Sequence, residues 1–381
     1  MDLRALGVML SFVVLVAGCG GDAEQAVTDE PPTDLAAVLP MAEIVDTDQM
    51  VDAGAMELDE LCAALYADVP IASDASVGLV ADVAAITDGT FNQYAFEGME
   101  AAGRCFGVLT GFLESAGNDA EEQIGQMVDR DLDIIVTVGF QFAEATAAAA
   151  EANPGISFIG IDQTNPTGIE NLIGITFRDD QVGYLAGVAA ASLSETGTVG
   201  IVAGPDTVPP VVAIADGFEA AVAATDPNVS VLRTHLDTFA DPQLGAEEGA
   251  RMLDAGADVL FGAAGPTGTG AIMSAAAAGT SVIGVDQDQY FTSFAGGAEP
   301  HADRLVTSAV KRVDLGVFLT VAALTQGAVA GGDFQLDAAN GGVTYAPFHE
   351  AEVSADVADA LEAARRGLAD NTIDLTDLGS E

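Results

Sequence analysis

The chain has 381 residues, with 59 acidic side chains against 11 basic ones and a formal net charge of −48. Such an excess excludes nucleic acid as a partner and excludes a polybasic hold on an anionic membrane. Half of the residues are hydrophobic, and a chain of this length can build two domains of ordinary size.

In chain order, residues 1–18 open with Asp2 and Arg4 and continue as an apolar run. At about 14 residues that run is too short to span a bilayer comfortably and fits a signal-peptide core. It closes on Val16-Ala17-Gly18-Cys19, which resembles the lipobox of bacterial lipoproteins. That resemblance implies lipidation of Cys19 and tethering to the extracytoplasmic face of the cell membrane; the other reading is a secretory peptide cleaved elsewhere. Residues 19–75 read as an acidic, flexible tail with Pro31-Pro32 and a short helix over 55–67. In an exported protein the remaining cysteines, Cys62 and Cys105, either form one disulfide or stay as buried thiols.

From residue 76 short apolar runs alternate with alanine-rich helical stretches. The runs 77–82, 133–138, 156–162, 198–203, 229–233, 258–261 and 281–286 are expected strands. Helices are expected near 92–104, 120–129, 141–151, 180–193, 211–224, 243–255, 268–278 and 303–325. Near-continuous apolar strands alternating with helices imply parallel sheets covered on both faces. The pattern runs twice, each half holding a strand that ends in Asp, at Ile161-Asp162 and Val285-Asp286. Two doubly wound α/β lobes would face each other across a cleft at their strand ends. Lobe one is expected over 76–178 plus 287–325 and lobe two over 179–286 plus 326–381. Crossings are then expected near 176–179, 285–287 and 326.

The first strand ends at Asp82, and the following turn opens a helix with Phe91-Asn92. A carboxylate accepts from ligand hydroxyls, an amide donates and accepts, and a phenyl ring stacks. Taken singly, Thr90 or Asn92 serves equally as a helix cap and Phe91 as a core residue.

The segment Val77-Gly-Leu-Val-Ala-Asp-Val…Asp88-Gly-Thr-Phe-Asn-Gln resembles the opening of the basic membrane protein, or purine nucleoside receptor-like, family. These are substrate-binding lipoproteins of ATP-binding cassette (ABC) importers. Val138-Gly-Phe-Gln-Phe-Ala-Glu-Ala145, Phe158-Ile-Gly-Ile-Asp-Gln163, Phe239-Ala-Asp-Pro242, Gly284-Val-Asp-Gln-Asp288 and Thr307-Ser-Ala-Val-Lys-Arg312 follow in the family's order. The resemblance covers about residues 76–325 and implies a type I periplasmic-binding-like fold with a hinge between the lobes. It implies ligand contacts from Asp82, Asn92 and Glu144, the last standing where Asp is expected. Phe91 and Phe239 would sandwich a flat base, and the backbone would approach the ligand at Gly265, beside Pro266 where the family pattern has a second Gly. Asp286 and Lys311, the only lysine of the chain, would hold the ribose hydroxyls through charge-assisted hydrogen bonds.

The expected function is capture of a nucleoside, a purine one first, by a monomer that delivers it to an importer permease. A sensor reporting to a membrane signalling partner would use the same fold. A nucleoside hydrolase is disfavoured, because His235, His301 and His349 are scattered without metal-ligand spacing and no Gly-x-Ser-x-Gly or P-loop pattern is present. No cofactor and no metal are expected.

Overall fold

The computed structural model describes residues 57–66, 74–81, 84–113, 120–327 and 331–376. The leader with Cys19, most of the tail, and Asp82 lie outside the described residues.

Two six-stranded sheets organise the chain. The first contains β1 (Ser76–Ala81), β2 (Leu109–Leu113), β3 (Ile134–Val138), β4 (Ser157–Ile161), β5 (Leu172–Phe177) and β11 (Gly332–Leu336), in the order β11-β5-β4-β3-β1-β2. All its pairings are parallel. The second contains β6 (Thr198–Ala203), β7 (Ser230–His235), β8 (Val259–Ala263), β9 (Ser281–Asp286), β10 (Leu305–Lys311) and β12 (Val343–Tyr345), in the order β12-β10-β9-β8-β6-β7. Only β12 runs antiparallel, on β10. The central strands β3 and β8 are buried along their whole length, as parallel strands covered on both faces should be.

Two expected crossings fall elsewhere. The stretch 303–325, read as one helix, is the strand β10 followed by the helix Val313–Thr325. β10 pairs in parallel with β9, so the second return lies at Arg312 and not at 285–287. All seven residues of β10 are buried, and a run with no exposed face carries no period that separates strand from helix. The third crossing follows Leu336 and not residue 326, because β11 adds to the edge of the first sheet before β12 joins the second.

Each lobe receives the chain through the same device. Arg178 and Arg312 stand just before the helices Asp179–Leu193 and Val313–Thr325. Each arginine grips the carboxylate two residues on, Arg178 with Nε 2.9 Å and Nη2 2.7 Å from Asp180, and Arg312 with Nε 2.8 Å and Nη2 2.9 Å from Asp314. A planar guanidinium suits such a fork better than an ammonium would. The backbone behind each fork presses on a glycine: a Cβ on Gly217 would collide with the Asp180 backbone, and one on Gly98 with that of Asp314. The helix Val313–Thr325 is buried on every face from Val313 to Ala323 and packs on both β4 and the helix Phe91–Phe106.

A short helix, Leu58–Leu65, is joined to the helix Phe91–Phe106 by a Cys62–Cys105 disulfide with Cα atoms 5.9 Å apart. Leu61 and Tyr66 enter the first core, where Tyr66 meets Phe106 and Phe318 edge-on.

Candidate functional site

The strand ends of both sheets frame a cavity with about 690 Å³ of space open toward solvent. Phe91, Asn92, Phe239, Gly265, Asp286 and Lys311, all expected in the site, line it. Glu144 does not. After β3 the chain makes a 3-10 turn, Phe140–Phe142, that buries Phe142. Glu144 is thereby left exposed on the helix Ala143–Ala152, and Gly139, Phe140 and Gln141 face the cavity in its place.

Asp88 organises the first wall. Its carboxylate accepts from the backbone N–H groups of Thr90 (2.8 Å), Gln93 (3.1 Å) and Asn92 (3.2 Å), capping the helix that begins at Phe91. Thr90 and Asn92 are therefore free of that duty. The Asn92 amide donates to the Ala84 carbonyl (3.1 Å), and its buried Oδ1 has no partner among the described residues, leaving an acceptor for a ligand. On the opposite side Phe239 packs so closely on Gly204 that a Cβ there would strike its ring. Gly265 has φ 54, a conformation that costs glycine little, and opens the helix Gly265–Ala277 against the Phe239 carbonyl.

Lys311 ends β10 with only 2% of its side chain exposed. Its Nζ donates to Asp162 Oδ2 at 2.7 Å and forms an ion pair with Asp179 Oδ1 at 2.7 Å, a contact lacking the angle of a directed hydrogen bond. The Phe177 and Phe91 rings lie 4.8 Å and 5.1 Å from the ammonium, within cation–π reach. Burial alone would lower the Lys311 pKa, but the carboxylates of Asp162, Asp179 and Asp286 outweigh it and hold the ammonium charged. Burial pushes Asp286 up to about 7, against the pull of Lys311 and with help from Asp88 and Asp162. Asp179 is likewise pushed up to about 7 by burial, Lys311 opposing and Asp162 adding to it.

The residues not anticipated are Asp162, Asp179 and Asp88. Asp162 is the lobe-one counterpart of Asp286: the first directly follows the parallel strand β4 and the second ends the parallel strand β9, each has left-handed φ (58° and 68°), and each precedes a glutamine. The repeated Ile161-Asp-Gln and Val285-Asp-Gln was the signal that marks it. The lobes also touch directly, through Gln287 Nε2 donating to the Thr90 carbonyl (2.9 Å) and Thr292 Oγ1 donating to the Gly89 carbonyl (2.8 Å).

The family profile described as ABC transporter substrate-binding protein PnrA-like (Bmp) matches residues 75–367, both sheets and the whole cleft. The chain belongs to that family. Among similar proteins, the CD4+ T-cell-stimulating antigen of Listeria innocua is 29% identical over 321 residues, covering 79% of this chain and 87% of its own. The ABC transporter nucleoside-binding protein BmpA of Lactococcus lactis is 29% identical over 234 residues, covering 58% of this chain and 66% of its own. An ABC transporter solute-binding protein from Aeropyrum pernix K1 superposes with a TM-score of 0.69 at 24% identity, covering 79% of this chain and 92% of that one. As a Bmp family member the chain is a substrate-binding protein of ABC transport with a periplasmic-binding-type α/β fold. Among the described residues there is no cluster fit for a metal ion and no helix long and apolar enough to cross a membrane.

Proposed function

We propose that the cleft captures a ribonucleoside, with purine nucleosides the first candidates, for delivery to an ABC importer. The observation that carries this reading is the meeting of Phe91, Phe239, Asp286 and Lys311 at one cavity. Two rings from opposite lobes suit the faces of a flat base. A carboxylate and a charged ammonium suit a vicinal diol, the ammonium donating to its oxygens and the carboxylate accepting from its hydroxyls. The Lactococcus relative, named as a nucleoside-binding protein, agrees. Membership of a family of substrate-binding proteins supports binding as the role.

In this reading the forked crossings at Arg178 and Arg312, with the 337–342 return, serve as the hinge for lobe closure. Lobe one then comprises 76–178 with 312–336, and lobe two 179–311 with 337–376. A lipid on Cys19, after removal of residues 1–18, would tether a monomer on the extracytoplasmic face beside the permease. A thermal-shift screen of the protein lacking its leader and Cys19 against nucleosides, free bases and sugars tests the assignment. A ligand at 100 times its Kd stabilises by about 2.7 kcal/mol, a readily visible shift. Nucleosides should produce it and sugars should not; Phe239→Ala should weaken nucleoside binding by roughly 1–3 kcal/mol, the worth of one base–aromatic stack. Stabilisation by a sugar, with nucleosides silent, would reject the reading.

A further inference from the structure

The cleft does not end at Lys311. A second chamber, with about 750 Å³ of space open toward solvent, adjoins the first and shares Phe140, Asp162 and Pro210 with it. Gln163, Thr164, Thr176, Asp179 and Asp180 belong to the second alone. Its walls come from the ends of β4 and β5, the first crossing, and the start of the helix Pro209–Thr225.

The charges around it do not balance. Asp180 is answered by the Arg178 fork. Lys311 must then serve Asp162 and Asp179, and it stands near Asp286 as well. Asp162 has 8% of its side chain exposed, and its Oδ1 has no hydrogen-bond partner among the described residues. A buried carboxylate oxygen in such a place calls for a donor.

We propose that this chamber is a second subsite that takes a hydrogen-bond-donating, cationic extension of the ligand, and that it repels an anionic one. The proposal rests on the nucleoside reading above, which fixes the point of attachment. With the base stacked between the rings and the 2′,3′-diol on Asp286 and Lys311, the 5′ carbon is the position of the ribose that can be extended without disturbing either contact. An ammonium there would meet Asp162 and Asp179; a phosphate would meet the same carboxylates and be opposed. The ligand class is therefore nucleosides bearing an amine at 5′, ahead of plain nucleosides and far ahead of nucleotides.

Calorimetric titration of the chain lacking its leader and Cys19 with adenosine, 5′-amino-5′-deoxyadenosine and adenosine 5′-monophosphate tests this. The amine should bind about tenfold or more tighter than adenosine and the monophosphate about tenfold or more weaker, the range of a charge-assisted contact made or opposed. Asp179→Asn should shrink both differences. Thr164→Phe, at an exposed wall position, should abolish the preference for the amine by filling the chamber. If adenosine binds and the amine binds no tighter, or if its advantage survives both substitutions, the subsite is rejected while the nucleoside reading stands. If neither adenosine nor the amine binds, the nucleoside reading falls and the subsite with it.

Discussion

At the scale of single residues, the chain places its one lysine where an ammonium is most costly to bury, and surrounds it with carboxylates. Removing one partner from such a cluster leaves charges unanswered, which ordinarily costs about 3–5 kcal/mol. Lys311→Met should therefore destabilise the ligand-free protein, and more at pH 8 than at pH 5, where Asp179 and Asp286 can protonate. Denaturant unfolding at the two pH values measures this; an equal loss at both would refute the electrostatic account. Asp286 makes the complementary case. Its carboxyl ordinarily titrates near 3.8 and is pushed up to about 7 by burial. Between those values the folded chain holds a proton that the unfolded chain releases, so stability from this group is present below about pH 4 and lost as pH rises through 7. Asp286→Asn, which cannot ionise, should gain on the parent steadily from pH 4 to pH 8 when melting temperatures are compared. A difference independent of pH would show that the carboxyl is not perturbed. The Asp286–Lys311 pairing was legible as chemistry, but the residues within 2.7 Å of Nζ are Asp162 and Asp179. Asp179 reaches the ammonium only because the chain changes lobes at Arg178, a fact of topology that no local pattern carries.

At the scale of elements, strands were legible where an apolar run stood between turn residues, as at Ile134–Val138 and Ser281–Asp286. They were not legible at the sheet edges formed by β2, β11 and β12, although the edge strand β7 matches the expected run 229–233. β2 and β11 are five residues each, mostly exposed or half-buried, too short and too weakly apolar a run to stand out from their polar neighbours. β10 failed for the opposite reason, being buried throughout and continuous with an apolar helix. That error moved the second crossing by a whole strand and took Lys311 from a helix to a strand end. The helix Leu58–Leu65, by contrast, was legible, and its attachment through Cys62–Cys105 is testable. Closing a loop across 43 residues should contribute roughly 2–4 kcal/mol, mainly by restricting the unfolded chain. The oxidised protein lacking Cys19 should expose no thiol to an alkylating reagent in denaturant, and a reductant should lower its melting temperature. Two alkylated cysteines before reduction would remove the bridge from the account.

At the scale of the molecule, two similar lobes present their strand ends to one cleft, and the repeat that builds them also places the Asp162 and Asp286 pair. The cleft is held from both sides: Lys311 and Gln287, from the second sheet and the loop after β9, reach Asp162 and Thr90 of the first lobe. A ligand that bridges the same walls would favour closure through its better contacts with the closed state. What the cleft takes is the central claim, and calorimetric titration of the protein lacking its leader and Cys19 with adenosine, guanosine and inosine tests it most directly, each run beside its 2′-deoxy form. The account predicts one site per chain, with the 2′-deoxy forms weaker by about 1.5–3 kcal/mol, the worth of a hydrogen bond to a charged group. Ribose and deoxyribose forms binding alike, or no heat from any of them, would contradict it.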